Sequence, residues 1–307
     1  MTPILDGIIA VDKPAGISSA RVVARLKKRP GVKKIGHTGT LDPFATGVLL
    51  CGINKGTRLS RFLLGGEKSY LAGVHLGVTT DTLDAEGKII ASAEEGMVND
   101  LTKEQVVTVV AGFKGPQKQI PPVYSALKHN GVPLYRLARQ GRPVEKPARD
   151  IEIYDIQIRS MELPLVEMDV HCSSGTYIRS LARDIGAHLE CGAHLASLCR
   201  TSCCGTSLDK TLPLSSLEQM DDDLFNEQII PMAQAVPSLP CIFADEAMMG
   251  KMRFGQPLGD LLPGPFFWRG AGQNKFLRIL DSQGSLAGVV EYDEIAETYN
   301  YCCVFID

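Results

Sequence analysis

Residues 36–47 read Gly36-His37-Thr38-Gly39-Thr40-Leu41-Asp42-Pro43-Phe44-Ala45-Thr46-Gly47. Three glycines free the backbone for tight turns, so the stretch predicts an ordered loop. Pro43 stiffens that loop and biases Asp42 toward an extended conformation. An acid held this way has three readings. Asp42 can cap a helix that begins at Pro43, because Asp-Pro is a good Ncap–N1 pair. The glycines can cradle a phosphate. The carboxylate can be placed for chemistry. No Walker pattern and no GxGxxG occurs, which leaves nucleotide binding weakly supported. On local physics alone the cap comes first.

Working outward from the loop, residues 8–11 predict a short buried strand closed by a turn over Asp12-Lys13-Pro14-Ala15-Gly16. Residues 18–29 predict a helix with Ser18 or Ser19 as N-cap. In 70–78, Tyr70, Ala72, Val74, Leu76 and Val78 fall on one side of a strand. In 166–172, Val166, Met168, Val170 and Cys172 face one way, and Glu167, Asp169 and His171 the other. Residues 151–158 alternate with a slip near Tyr154, which suggests a bulge. Thr102 and Gln105 form a capping box ahead of Val106, Val109, Val110 and Phe113. Ile178, Leu181, Ile185 and Leu189 mark a helix over 177–189. Strands and helices mix without a βαβ rhythm, which favours α+β over a doubly wound parallel sheet. Three prolines break the pattern at 231–240. Beyond them, 277–280 and 287–291 read as strands around a turn at 281–284. The expected division is therefore 1–237 and a small β-rich domain over 238–307.

The chain has 307 residues, 44% hydrophobic and 22% charged, ordinary values for a folded protein with a sizeable core. No apolar run approaches the ~20 residues of a membrane span. The opening Met1-Thr2-Pro3-Ile4-Leu5-Asp6 lacks a basic region followed by an apolar one, so no signal peptide is read and a cytoplasmic location is expected. Nine cysteines include the adjacent pairs Cys203-Cys204 and Cys302-Cys303 and no CxxC, which reads as free thiols rather than a metal site. Net charge is −3, but its distribution is uneven. Residues 21–34 carry seven Lys/Arg and no acid, and 128–149 carry six against one Glu. Acids gather elsewhere, over 218–223. Such stripes suit a polyanion or are solvated helix faces, and charge alone leaves both open. Asp81-Thr82-Leu83-Asp84-Ala85-Glu86-Gly87 lacks EF-hand spacing and reads as a structural turn.

The run from Gly36 to Leu50 closely resembles the catalytic-aspartate motif GHxGxLDPxAxGxL of TruB-type pseudouridine synthases. Five further segments fit the same family in order. They are the strand and Lys-Pro turn at 7–16; Glu67-Lys68-Ser69-Tyr70; Pro121 to Lys128 with Leu134-Tyr135 and 138–141; Cys172-Ser173-Ser174-Gly175-Thr176-Tyr177-Ile178-Arg179; and Gly192-Ala193-His194-Leu195 with Leu198-Cys199-Arg200. Met252 to Pro257 and the strands after 276 resemble a PUA-type RNA-binding domain.

The resemblance implies a mixed, largely antiparallel catalytic sheet with a small C-terminal PUA-like domain. It implies isomerisation of a uridine in the T arm of tRNA, position 55 in tRNA numbering, with no cofactor and no metal. Asp42 becomes the nucleophile and Arg179 its partner, keeping the carboxylate's pKa depressed. Tyr70 stacks on the base near C5, and Tyr177 and Leu198 wall the pocket. His37 lies near the displaced nucleotide. Lys13, Arg21, Lys27, Lys28, Lys33, Lys34, Arg136 and Arg139 are candidate phosphate contacts. Without the resemblance, Arg179 reads as a structural ion pair, Tyr70 as core and His37 as a loop residue. The expected partner is tRNA alone, bound by a monomer with no membrane and no guide RNA. Two other functions compete: an RNA-binding protein without turnover, and a guide-RNA-dependent enzyme.

Overall fold

The computed structural model describes residues 3–262 and 275–306. Residues 263–274, inside the span expected to form the second domain, lie outside the described residues, as do Met1, Thr2 and Asp307. The first apolar run forms β1 (Gly7–Lys13). It outlasts the expected strand by two residues, because Asp12 and Lys13 still pair with Val48 and Gly47. The basic stretch folds as α1 (Ser19–Leu26), and Ser18 is its cap, accepting a hydrogen bond from the Arg21 N–H. The glycine-rich segment is loop only in its middle. Its ends belong to β2 (Ile35–His37) and β3 (Thr46–Ile53).

After α2 (Ser60–Leu64) comes β4 (Lys68–Leu76), with Tyr70, Ala72, Val74 and Leu76 buried as their alternation predicts. Val78 does not share that face. Gly77, at φ 85°, turns the chain, and Val78 opens the hairpin of β5 (Val78–Thr80) and β6 (Ile89–Ser92). The capping box starts α3 (Lys103–Ala111): Gln105 N donates to Thr102 Oγ1 at 3.2 Å and Thr102 N to Gln105 Oε1 at 2.7 Å. β7 (Gly115–Gln119), the short β8 (Lys128–His129) and β9 (Val132–Pro133), and α4 (Leu134–Arg139) follow. β10 (Arg149–Glu162) pairs antiparallel with β11 (Leu165–Cys172). Their register slips between Ile153 and Asp155, which places the expected bulge at Tyr154. A second slip, between Ile158 and Ser160, lies beyond the stretch whose alternation was legible.

α5 (Ile178–His188) leads into β12 (Ala193–Cys203), then β13 (Thr206–Ser207), β14 (Leu212–Pro213), α6 (Leu214–Gln219), α7 (Asp222–Glu227) and β15 (Ile229–Pro231). Past the proline-rich break come β16 (Cys241–Phe243), α8 (Glu246–Arg253), β17 (Phe276–Leu280), β18 (Leu286–Asp293) and β19 (Thr298–Val304).

Among the described residues, the large sheet runs β14-β1-β3-β12-β4-β11-β10-β7, and a separate sheet runs β16-β17-β18-β19. The large sheet is antiparallel except at β1–β14 and β3–β12. The β3–β12 contact sets Thr46 and Gly47 beside Cys199 and Arg200. Gly47 sits at φ 97° and a Cβ there would stand 2.3 Å from the Arg200 carbonyl oxygen, so only glycine permits this approach.

β1 is apolar on both faces for a reason. Ile9 and Val11 join a core shared with α1, α3, α5 and α6, whereas Ile8 and Ala10 join a second core with Val48, Leu50, Leu280, Val289 and Phe305. A strand buried on both sides needs a continuous apolar run. The second core seats the C-terminal sheet on the back of β1 and β3.

Candidate active site

The Asp42 loop is pinned on both sides of the acid. Ser19 Oγ donates to the Leu41 carbonyl at 3.0 Å and accepts from Leu41 N at 2.8 Å. Gly16 N and Lys13 Nζ donate to the Pro43 carbonyl at 2.8 and 3.1 Å. No helix follows Pro43. Ala45 N closes a turn on the Asp42 carbonyl, and Thr46 already begins β3. The capping role is therefore not realised, and the carboxylate is free to point elsewhere.

It points at Arg179, on the first turn of α5. Arg179 Nε stands 2.9 Å from Asp42 Oδ2, and Nη2 donates to Oδ1 at 3.1 Å. The guanidinium is otherwise fully engaged. Nη1 donates to the Thr82 carbonyl at 3.0 Å and lies 3.3 Å from Asp84 Oδ2, and Nη2 also donates to the Tyr124 carbonyl at 2.8 Å. Residues 81–87 are a turn, as expected, with Thr82 Oγ1 and Glu86 N donating to Asp84 Oδ1. The turn also aims a second, buried carboxylate at Arg179.

The expected depressed Asp42 pKa is corrected by this environment. Burial pushes the carboxyl above the ordinary aspartate value and the Asp84 charge adds to it. Arg179 and Lys13 oppose the rise without cancelling it.

The pair opens into a cavity of about 320 Å³ lined by Asp42, Tyr70, Tyr177, Arg179 and Leu198, five of the six pocket residues expected from sequence. That volume lies at the lower end of small-molecule sites, which span roughly 300–1,000 Å³. Lys68, Arg149 and Arg200 also line it, so four cations surround one carboxylate in the wall. Such a wall favours an anionic ligand.

Tyr177 is the N-cap of α5 and makes no side-chain cap of its own. The Gln119 amide does that work: Tyr177 N donates to Oε1 at 2.8 Å, and Nε2 donates to the Tyr177 carbonyl at 3.1 Å. Arg149 stacks over the Tyr177 ring, its Cζ 4.5 Å from the ring centre, and donates to the Gly175 carbonyl. Tyr70 lies opposite Arg200 across the β4–β12 ladder, and its buried phenol is pushed up to about 12.

Some expected contacts are elsewhere. His37 pairs with Cys51 in β2–β3 and is not among the cavity's lining residues. Burial and the Arg200 charge hold its imidazole below the usual value. Lys13 is fully buried and cannot reach a backbone phosphate. Its Nζ instead donates to the Pro14, Ile17 and Pro43 carbonyls, tying β1 to the Asp42 loop. Lys27 Nζ is turned back onto the Val32 and Lys33 carbonyls. Arg21, Lys28, Lys33, Lys34, Arg136 and Arg139 are exposed. The acids of 218–223 are not remote from the first basic stripe. Glu218 pairs with Arg25, and Arg29 donates to the Asp221 carbonyl at 2.8 Å with Asp222 3.9 Å away.

Sequence reasoning did not single out Asp84, Arg200, Lys68, Arg149 or Gln119. Arg200 follows apolar Leu198 and Cys199 but precedes Thr201 and Ser202, so nothing local marks it as a buried cation.

A sequence profile described as the N-terminal domain of TruB family pseudouridylate synthases matches residues 27–178. The chain is 40% identical over 253 residues to tRNA pseudouridine synthase B of Syntrophotalea carbinolica, covering 82% of each chain. It is 38% identical over 290 residues to tRNA pseudouridine synthase B of Francisella philomiragia, covering 94% of this chain and 92% of that one. The chain belongs to the TruB family. The matched segment of this TruB chain holds Asp42, Tyr70, Asp84 and Tyr177 and stops one residue short of Arg179. Its fold is shared with a chain of a Cbf5-Nop10-Gar1 complex, at TM-score 0.71 and 26% identity, covering 98% of this chain and 84% of that one. A chain from an H/ACA RNP bound to a substrate RNA shares the fold at TM-score 0.72 and 23% identity. The mixed, largely antiparallel catalytic sheet with a β-rich C-terminal unit is thus the architecture of pseudouridine synthases.

Proposed function

We propose that this TruB-family enzyme isomerises uridine to pseudouridine at position 55 in the T arm of tRNA, with Asp42 as the group that acts on the ribose. The observation carrying this reading is the Asp42–Arg179 pair at 2.9 Å in the floor of a cationic cavity. The reaction breaks N1–C1′, turns the uracil and joins C5 to C1′, so atoms and electrons are conserved within the substrate. A target base inside a folded RNA arm must leave its stack to reach such a cavity, at a cost of a few kcal/mol. Arg179 fixes the direction of the carboxylate oxygens, and the carboxylate attacks C1′ or withdraws a ribose proton on the way to a glycal. Tyr70 lies under the uracil and receives the C5 proton at the end. Tyr177 and Leu198 wall the base, and the exposed Arg21, Lys28, Lys33, Lys34, Arg136 and Arg139 hold phosphates. The enzyme works as a cytoplasmic monomer on bare tRNA.

Tritium release from a tRNA transcript labelled at uracil C5 tests this reading. Wild type should release tritium without added RNA or protein, and Asp42→Ala should not. Release by Asp42→Ala would remove the assigned role. Release that requires a guide RNA would move the enzyme to the guided class.

A further inference from the structure

We propose that Arg200 is a positioning residue that sets the Tyr70 phenol for removal of the C5 proton and locks it to the Asp42 loop. The proposal rests on the function just given. Arg200 has 1% of its surface exposed, yet it lines the cavity. Its Nε donates to the Val48 carbonyl at 2.7 Å and its Nη2 to the Gly39 carbonyl at 3.3 Å, on the two sides of Asp42 in sequence. Its backbone lies against Gly47, where a Cβ would stand 2.3 Å from the Arg200 carbonyl oxygen. Across the ladder it faces Tyr70, and both side chains line the same cavity. One side chain therefore ties together the aspartate loop, the strand behind it and the tyrosine.

A plain structural tie would not need a cation. Burying a guanidinium costs free energy unless the charge has work to do. Here neutral carbonyls take two of its donors, and the phenol is a partner that ionises. Burial pushes that phenol up to about 12, and Arg200 is the largest influence pulling it back. The other charged or titratable groups facing the ring and its cavity include Cys172 on β11, Cys203 on β12, Lys68 on β4 and Asp42, with Arg149 and Arg179 in the same wall. The cysteines oppose the phenolate. Lys68 is turned onto the Leu64 and Gly66 carbonyls.

In the step concerned, C5 already carries C1′ and its hydrogen, and N1 is doubly bonded to C6. The phenolate oxygen takes the proton. The C5–H pair becomes the C5=C6 bond, the N1=C6 pair moves to N1, and N1 takes a proton from water. The phenol returns its own proton to solvent. A guanidinium beside the phenol favours its ionised form and so speeds this transfer.

The test is single-turnover tritium release by Arg200→Lys, with tyrosine or trifluorotyrosine at position 70. A lysine keeps the charge but loses the directed fork. We expect Arg200→Lys to lower the rate roughly tenfold or more at unchanged tRNA affinity. Trifluorotyrosine, a stronger acid, should restore most of the loss, and its pH–rate limb should lie at higher pH in Arg200→Lys than with arginine. A loss that trifluorotyrosine leaves untouched, with an unmoved limb, overturns the proposal and reduces Arg200 to a structural tie. Should Arg200→Lys fail to fold, nitrogen-15 arginine signals decide the matter in otherwise intact protein. Tyr70→Phe should shift the guanidinium signals of Arg200, and unshifted signals overturn the contact. Wild type that releases no tritium sinks the underlying function, and this proposal with it. Active wild type with an unrescued variant sinks the Arg200 role alone.

Discussion

Asp42 is pulled in two directions, and the balance sets how it responds to pH. Burial holds its carboxyl above the ordinary value of 3.8, and Arg179 pulls it down. Because the folded carboxyl binds its proton more tightly than the unfolded one, ionisation costs the folded state. That cost is absent below 3.8 and grows as pH rises through the interval up to the raised folded value. Asp42→Asn removes the ionisation. Its melting temperature should therefore gain on wild type as pH rises above 3.8, while tritium release disappears. Scanning calorimetry across that range checks the sign, and a gap that shrinks with rising pH would reverse it. The acid limb of wild-type kcat/KM should likewise lie above the ordinary aspartate value. Arg179→Lys keeps a charge but cannot hold Asp42, Asp84 and two carbonyls at once. Its kcat should fall on the order of 100-fold or more, with tRNA affinity retained, since misplacement by about 1 Å has that effect.

At the scale of elements, α5 owes its position to a residue far from it in sequence. The two hydrogen bonds from Gln119 satisfy the backbone N–H and carbonyl of Tyr177, and Ser180 Oγ donates to the Ile120 carbonyl at 2.9 Å. Gln119→Ala leaves the half-buried Tyr177 N–H without its partner, while the carbonyl keeps its bond from Leu181 N, and should cost about 1 kcal/mol, read as a shift in urea midpoint. It should also lower kcat, because Arg179 sits two residues along the same helix. An unchanged midpoint would show that water replaces the amide. The same elements mark what could be read from sequence. Alternation gave β4 and β11, and the capping box gave the start of α3, because those signals are local. Asp42, Tyr70, Tyr177, Arg179 and Leu198 came from motifs, and the fold does bring them to one cavity. Gln119, Asp84 and Arg200 had no local signal. Their partners lie 58, about 95 and 152 residues away, set only when β3 docks parallel to β12 and β7 reaches α5. Lys13 failed for the same reason. A lysine beside a proline turn looks solvated until β1 is covered on both faces.

At the scale of the whole molecule, a net charge of −3 must coexist with RNA binding, so the distribution of charge has to do the attracting. The two basic stripes are not equivalent. In the first, Arg25 and Arg29 are engaged by residues 218–222 and Lys27 is tied to its own loop, which spends much of its field. In the second, Arg136 and Arg139 on α4 are exposed, and the segment just before them, Ser125 to Leu127, forms part of the cavity wall. Phosphate contacts release counterions, and each contributes roughly 0.7–0.9 to the slope of log affinity against log salt. Arg136→Glu with Arg139→Glu should therefore weaken tRNA binding and flatten that slope by roughly 1.4–1.8. The single-turnover rate at saturating tRNA should stay near wild type, since neither residue lines the cavity. Lys27→Ala and Lys13→Met should leave the slope unchanged, because one nitrogen is committed to backbone carbonyls and the other is buried. Fluorescence titrations at several salt concentrations separate the two sets. Equal slopes for the α4 double variant and wild type would place the RNA on another face.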